Sequence, residues 1–121
     1  MEQFRLESLP GPRDGIYTLK ITGSFTVASV FDFQAAARNV TEPILLIDLT
    51  NVPYMDSASL GSVIGVHVSR NRQGLKYALV GISDRLRALL AISGVEELLV
   101  AYPTVEAALA ALSPAKSAQA G

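Results

Sequence analysis

The chain has no cysteine, no tryptophan and a single histidine. Without cysteine there is no disulfide, no thiolate nucleophile and no Cys-based metal site. One histidine and scattered carboxylates do not make the ligand cluster that a metal ion needs. An excess of one charge is also lacking: 10 Lys and Arg are interspersed with 11 Asp and Glu, for a net charge of -1. That balance leaves out the basic stripe of a nucleic-acid binder. Apolar runs fall far short of the roughly 20 residues that span a bilayer. The opening stretch, MEQFRLESLPGPRDG, has neither the basic start nor the apolar core of a signal peptide. The expectation is a cytoplasmic protein with no cofactor, no direct nucleic-acid contact and no membrane insertion.

What is present is hydrophobic. Half of the 121 residues are apolar, enough for one real core. Phe4 to Leu9 reads as a first strand, followed by the turn cluster Pro10 to Gly15. Ile16 to Thr22 alternates with period two and pairs with it as a hairpin. Val27 to Asn39 reads as a helix with Thr26 as cap and Val30, Phe31, Phe33 and Ala37 on its apolar face. Ile44 to Leu49 is almost continuously apolar, as a strand covered on both sides would be. Ala58 to Arg72 forms the second helix. Its inward side carries Leu60, Val63, Ile64, His67 and Val68, and Ser59, Ser62, Ser69, Arg70 and Gln73 lie outward. Gly74 suits a left-handed C-cap. A strand over Lys76 to Val80, a helix capped by Ser83 or Asp84 and running through Ala91, a strand over Leu98 to Tyr102 and a helix capped by Thr104 complete the pattern. The order β-β-α-β-α-β-α-β-α predicts a single α/β domain over residues 1–112. Its sheet is mixed and mostly parallel, with about five strands, an N-terminal antiparallel hairpin and about four helices. Residues 113–121 are expected to be a disordered tail.

The chemistry narrows to one place. Asp48-Leu49-Thr50-Asn51-Val52-Pro53-Tyr54-Met55-Asp56-Ser57-Ala58-Ser59-Leu60-Gly61 runs from a strand through a turn to a helix start. A helix N-terminus exposes unpaired N–H groups and partial positive charge, which suits a phosphate and equally suits a plain cap by Ser57. Ser57 as a catalytic nucleophile needs a nearby base. The sole histidine, His67, lies ten residues along the same helix, roughly 15 Å away, and reads as a packing residue. No P-loop pattern is present. Gly61 and Gly65, one turn apart, read as allowing close packing against the sheet or a partner, so Gly61→Val is expected to do more harm than Ser59→Ala. Arg70, Arg72 and Arg85 read as solvent charges, Met55 as core, and Tyr54 as either core or partner patch. No enzymatic activity is expected.

The same stretch resembles the signature of STAS domains, in particular of bacterial anti-sigma factor antagonists. A strand ending in Asp-Leu leads there to Met/Ile-Asp-Ser, a small residue and Leu-Gly. Gly74 to Val80, Ser83-Asp84-Arg85-Leu86 and Leu89 to Val95 extend the resemblance, which covers residues 16–112. It implies partner switching. The dephosphorylated protein binds an anti-sigma factor that is also an ATP-dependent serine kinase, the kinase phosphorylates it, and a serine phosphatase reverses the mark. The acceptor implied is Ser57, with Ser59 as second candidate. The switch and partner surface implied comprises Asp56, Ser57, Ala58, Ser59, Leu60, Gly61, Tyr54, Gly23 and Ser24. Two departures stand out: Ser59 replaces the family's usual Gly, and Gly23-Ser24-Phe25-Thr26 lacks the carboxylate that many relatives carry in that loop. The alternative is an unphosphorylated STAS scaffold or accessory subunit of a lipid transporter or stress-sensing complex. Self-association as a homodimer is left open.

Overall fold

A computed structural model of the chain describes residues 3–112; the tail expected at 113–121 lies outside the described residues. Five strands form one sheet in the order β1-β2-β3-β4-β5: β1 is Arg5–Pro10, β2 Ile16–Thr22, β3 Ile44–Asn51, β4 Lys76–Val80 and β5 Ala101–Tyr102. β1 pairs antiparallel with β2, and the remaining pairs are parallel. The helices are α1 (Val30–Arg38), α2 (Ser57–Arg72), α3 (Asp84–Ile92) and α4 (Val105–Leu112), with a 3-10 turn at Val27–Ser29 leading into α1. The mixed sheet with its hairpin and four helices is the architecture expected.

Spatial order follows chain order, so each right-handed crossover lays its helix on the same face. Alternate strand residues separate the two faces. Leu19, Ile21, Leu45, Ile47, Leu49 and Leu79 pack with α1, α2 and α3. Ile16, Ile44, Leu46, Ala78 and Val80 pack with α4. β3 is buried on both faces along its first four residues, as its unbroken apolar run predicts. Because the strand order never reverses, the sheet has no crevice of the kind that holds nucleotides in doubly wound folds.

Local signals fix most boundaries. Ser83 Oγ accepts from the Leu86 N–H at 3.1 Å and Thr104 Oγ1 from the Ala107 N–H at 3.0 Å, capping α3 and α4. Gly74, at φ +73°, follows the C-cap of α2 in the left-handed conformation. Other expectations need correction. The first helix is shorter at both ends, and Thr26 makes no side-chain cap hydrogen bond to the 3-10 turn. Phe31 is not on the buried face. Phe33 and Ala37 are inward, and Phe31 lies about 200° round the helix from Phe33. The last strand shrinks to two residues, leaving Leu98 exposed before it and Leu99 in the core.

The inward face of α2 is also different. Ser59, Leu60, Ser62, Val63, Val66 and Arg70 are buried, and Val68 is exposed. Gly61 and Gly65 face outward, and a methyl group added at either would meet nothing within 4 Å. They do not mediate packing on the sheet. Arg70 is a buried clamp instead of a solvent charge. Its guanidinium donates to the carbonyls of Lys76 (2.9 Å), Val40 (3.1 Å) and Glu42 (2.6 Å). Burial lowers its pKa, opposed by the charge of Glu42, and the group stays protonated at any ordinary pH.

Candidate functional site

The site is built where β2 and β3 end. Gly23 turns the chain with φ +90°, a conformation that side chains disfavour, and a Cβ there would strike the Gln3 carbonyl oxygen. Beyond the sheet the two connections continue to pair. The Phe25 N–H donates to the Tyr54 carbonyl at 2.9 Å and the Asp56 N–H to the Phe25 carbonyl at 3.3 Å, forming an isolated parallel bridge of Phe25 with Met55. Both of these side chains are buried, and Phe25 packs edge-on against Phe33 with centroids 5.0 Å apart. The segment that presents the helix start is thus anchored from below.

Asp56 is the N-cap of α2. Its Oδ1 accepts from the Ser59 N–H at 2.9 Å, and its own N–H donates to Ser59 Oγ at 3.1 Å. This is a reciprocal capping box with Ser in the place usually held by Glu or Gln. The other carboxylate oxygen, Oδ2, accepts from the Val27 N–H at 2.9 Å. One carboxylate therefore caps α2 and ties down the 3-10 turn before α1. Desolvation works to raise its pKa, but the backbone N–H groups of Ser59 and Val27, with the Ser59 hydroxyl and the Ala58 N–H, hold it below the ordinary 3.8.

A depressed carboxylate pKa contributes stability that is complete above the ordinary value and is lost as pH falls through the folded value. The destabilisation at acid pH that Asp56 causes thus lies below about pH 4. Asp56→Ala is expected to lower stability by about 0.5–2 kcal/mol at neutral pH and to flatten the stability profile in that acid window. Urea melts of both proteins from pH 2 to 7 check this; parallel profiles would refute the capping role.

With Asp56 as cap, Ser57 is not one. It is the first residue of the helix, exposed, and among the described residues its hydroxyl has no hydrogen-bond partner. Ser59 is the reverse: 0% exposed, its Oγ donating to the Asp56 carbonyl at 2.9 Å. The outward placement of Ser59 is corrected, and its hydroxyl is sealed within the box. The stability ranking of two substitutions reverses accordingly. Ser59→Ala is expected to cost about 1–2 kcal/mol. Gly61→Val, in open space on a helix, should change stability by less than about 0.5 kcal/mol. Thermal melts of the two variants decide the order.

The other candidates divide the same way. Tyr54, Ala58 and Gly61 are exposed and Ser24 is half-buried, and Ala58 and Gly61 follow Ser57 by one and four residues on α2. Leu60 is core and Gly23 is buried beneath the N-terminal backbone, so neither lines a surface. Met55 is core, as expected. His67 is a packing residue: its Nδ1 lies 2.8 Å from the Tyr77 hydroxyl, edge-on to that ring. Among the described residues no group of three or more His, Asp or Glu is placed to hold a metal ion. The segments around Ser57 carry no cation, because positions 21–37 and 39–69 contain neither Lys nor Arg. Sequence reasoning missed the link of the Val27 N–H to Asp56 and the exposure of the Val27 and Phe31 side chains. For Phe31, a position out of phase with Phe33 was the available signal.

Comparison with known proteins bears on the family and the fold. The model of the STAS domain family matches residues 12–108. An anti-sigma-B factor antagonist of Staphylococcus aureus is 29% identical over 90 residues, covering 72% of this chain and 83% of its own. The crystal structure of an anti-sigma factor antagonist from Mycobacterium paratuberculosis superposes with a TM-score of 0.78 at 19% identity, over 91% of this chain and 94% of that one. The Bacillus cell fate determinant SpoIIAA in its phosphorylated form superposes with a TM-score of 0.64 at 18% identity, over 91% and 99% of the two chains.

Proposed function

This chain belongs to the STAS domain family, and from that premise we propose that it is an anti-sigma factor antagonist gated by phosphorylation of Ser57. In the unphosphorylated form it binds an anti-sigma factor that is also a serine kinase, and the sigma factor is freed. Phosphorylation ends the complex, and a serine phosphatase restores it. The protein acts in the cytoplasm as a binding module and not as a catalyst. Among the described residues no helix is long and apolar enough to cross a membrane.

The observation that carries this reading is the split between two neighbouring hydroxyls. Ser57 is exposed and unbonded at the helix start, while Ser59 is enclosed. Because Asp56 does the capping, the Ser57 oxygen is available to a kinase without loss of the helix. A phosphoserine adds about -1.5 to -2 charge. At the first turn of α2 the helix dipole tolerates it, so the domain has no cause to refold. With no Lys or Arg at positions 21–37 or 39–69 to neutralise it, the charge projects outward beside Asp56. A kinase surface that delivers ATP already holds anionic phosphates, and docking the modified face against it is repulsive. The exposure of Ser57 favours this over a purely architectural role, which needs no accessible hydroxyl.

Incubation with ATP and the serine kinases encoded in the same genome tests the proposal. Mass spectrometry should find phosphate on Ser57, and none on the Ser57→Ala variant. A stable kinase complex with no modification of Ser57 would overturn the gate and leave a scaffold.

A further inference from the structure

We infer that the free edge of β1 pairs with the β1 of a second copy of this chain, giving an antiparallel two-fold dimer with one continuous sheet. The inference is independent of the phosphorylation reading, because β3, which leads to Ser57, lies two strands in from this edge.

The two edges of the sheet differ. β5 has only two residues. β1 has six and pairs with β2 over all of them without a register shift. Apart from half-buried Leu6, every residue of β1 is exposed. A regular, uncovered edge strand offers its unpaired backbone groups to another strand. Which groups these are follows from the hairpin. The Gly11 N–H donates to the Ile16 carbonyl at 2.8 Å, and Leu9, Glu7 and Arg5 continue this inward-bonded set at every second residue. The N–H and C=O groups of Leu6 and Ser8, and of Phe4 before them, therefore point away from β2. Pro10 falls in the outward set, so its missing N–H takes no bond from the hairpin.

Charge and proline then select one register. Two copies related by a two-fold axis pair symmetrically about one residue of the strand. Centred on Arg5 or Glu7, like charges stand face to face. Centred anywhere from Ser8 to Pro10, the pairing engages Pro10, which has no N–H to give. Centred on Leu6, Arg5 of each copy stands opposite Glu7 of the other, twice over. These are non-hydrogen-bonded positions, where facing Cα atoms are about 4.5 Å apart and side chains come closest. Leu6 bonds to its counterpart and Phe4 to Ser8, about six backbone hydrogen bonds in all. Both charges are available: Arg5 and Glu7 are exposed, and among the described residues neither has an ion-pair partner. The surface is thus complementary to itself, which is what a second copy requires.

Sedimentation equilibrium of the full chain tests the proposal. An interface this small predicts a reversible monomer–dimer equilibrium in the micromolar range. Glu7→Arg and Arg5→Glu should each weaken the dimer at least tenfold, with thermal melts close to wild type. The double exchange Arg5→Glu/Glu7→Arg should restore the wild-type constant to within about fivefold, and an equimolar mixture of the two single variants should form the heterodimer. A wild-type chain that stays monomeric up to millimolar concentration would overturn the inference and leave β1 an edge guarded by its charges and proline. A dimer that neither single substitution weakens, or that neither the exchange nor the mixture restores, would place the contact elsewhere and overturn it as well. Each of these outcomes leaves phosphorylation of Ser57 to its own test.

Discussion

Replacing Ser57 with Asp is expected to weaken the complex with the proposed anti-sigma kinase partner by about 30- to 100-fold, while leaving the fold intact. A full phosphate, at -1.5 to -2 charge, is expected to weaken it by about a thousandfold, equivalent to about 4 kcal/mol. Asp supplies roughly half that charge and reaches less far, so about half the free energy is the expected share. Inside the domain the added carboxylate meets two opposing effects: attraction to the positive end of α2 and repulsion from Asp56 one residue away. Their near-cancellation keeps stability close to wild type. Ser57→Ala is the complement. The hydroxyl has no partner among the described residues, and Ala is a good helix former, so the variant should melt within about 0.5 kcal/mol of wild type while binding its partner permanently. Calorimetry of the three proteins, with chemical denaturation alongside, reads both quantities. Wild-type affinity in Ser57→Asp, when the wild-type protein is itself phosphorylated on Ser57, would mean that the phosphate is not read as charge.

The largest loss of stability is expected at the opposite end of α2. Arg70 is 4% exposed and bonds to three backbone carbonyls from two separate segments, Val40 and Glu42 before β3 and Lys76 at the start of β4. Arg70→Met keeps much of the apolar stem and removes the donors. Each buried carbonyl left unpaired costs about 1–3 kcal/mol, and partial access of water reduces the sum, so a loss of about 3–5 kcal/mol is expected. Arg70→Lys should recover only part of it, because a single ammonium cannot span the fork of a guanidinium. Partner binding by the folded fraction should not change: 13 residues of helix separate Arg70 from Ser57, roughly 20 Å. Urea denaturation is the measurement. A loss under about 1 kcal/mol in Arg70→Met would show that the three carbonyls find water instead.

The two ends of α2 also show why the helix was read correctly in extent and wrongly in face. Its buried stripe runs Ser59, Val63, Val66, Arg70, with Leu60 and Ser62 alongside, at the 4-3-4 spacing that lines one side of a helix. Half of the stripe is polar. A search for hydrophobic periodicity therefore turned toward Leu60, Ile64, His67 and Val68, where the apolar residues are denser. What makes Ser59 and Arg70 suitable for burial is partners distant in the fold or folded back locally: the Asp56 backbone for one, Val40 and Glu42 for the other. The hydrogen bonds that satisfy them do not show in periodicity. Phe31 failed for a related reason. Hydrophobicity alone placed it inside, although Phe31 and Phe33 cannot share one face of a helix.

The amino-acid sequence by itself determined the alternation of strands and helices, the cap at Thr104, the doubly covered β3 and the Asp-Ser pair at the start of α2. These depend on residues within a few positions of each other, where propensity, hydrophobic period and side-chain capping act locally. Tertiary structure alone decided which hydroxyl is free. Asp56 could cap two helix starts only once β2 and β3 lay side by side and brought Val27 across to it. That contact spans 29 residues, and with the burial of Ser59 it leaves Ser57 as the exposed oxygen. Exposure is a property of the packed chain, set by which neighbours close over an atom, and no local pattern encodes it.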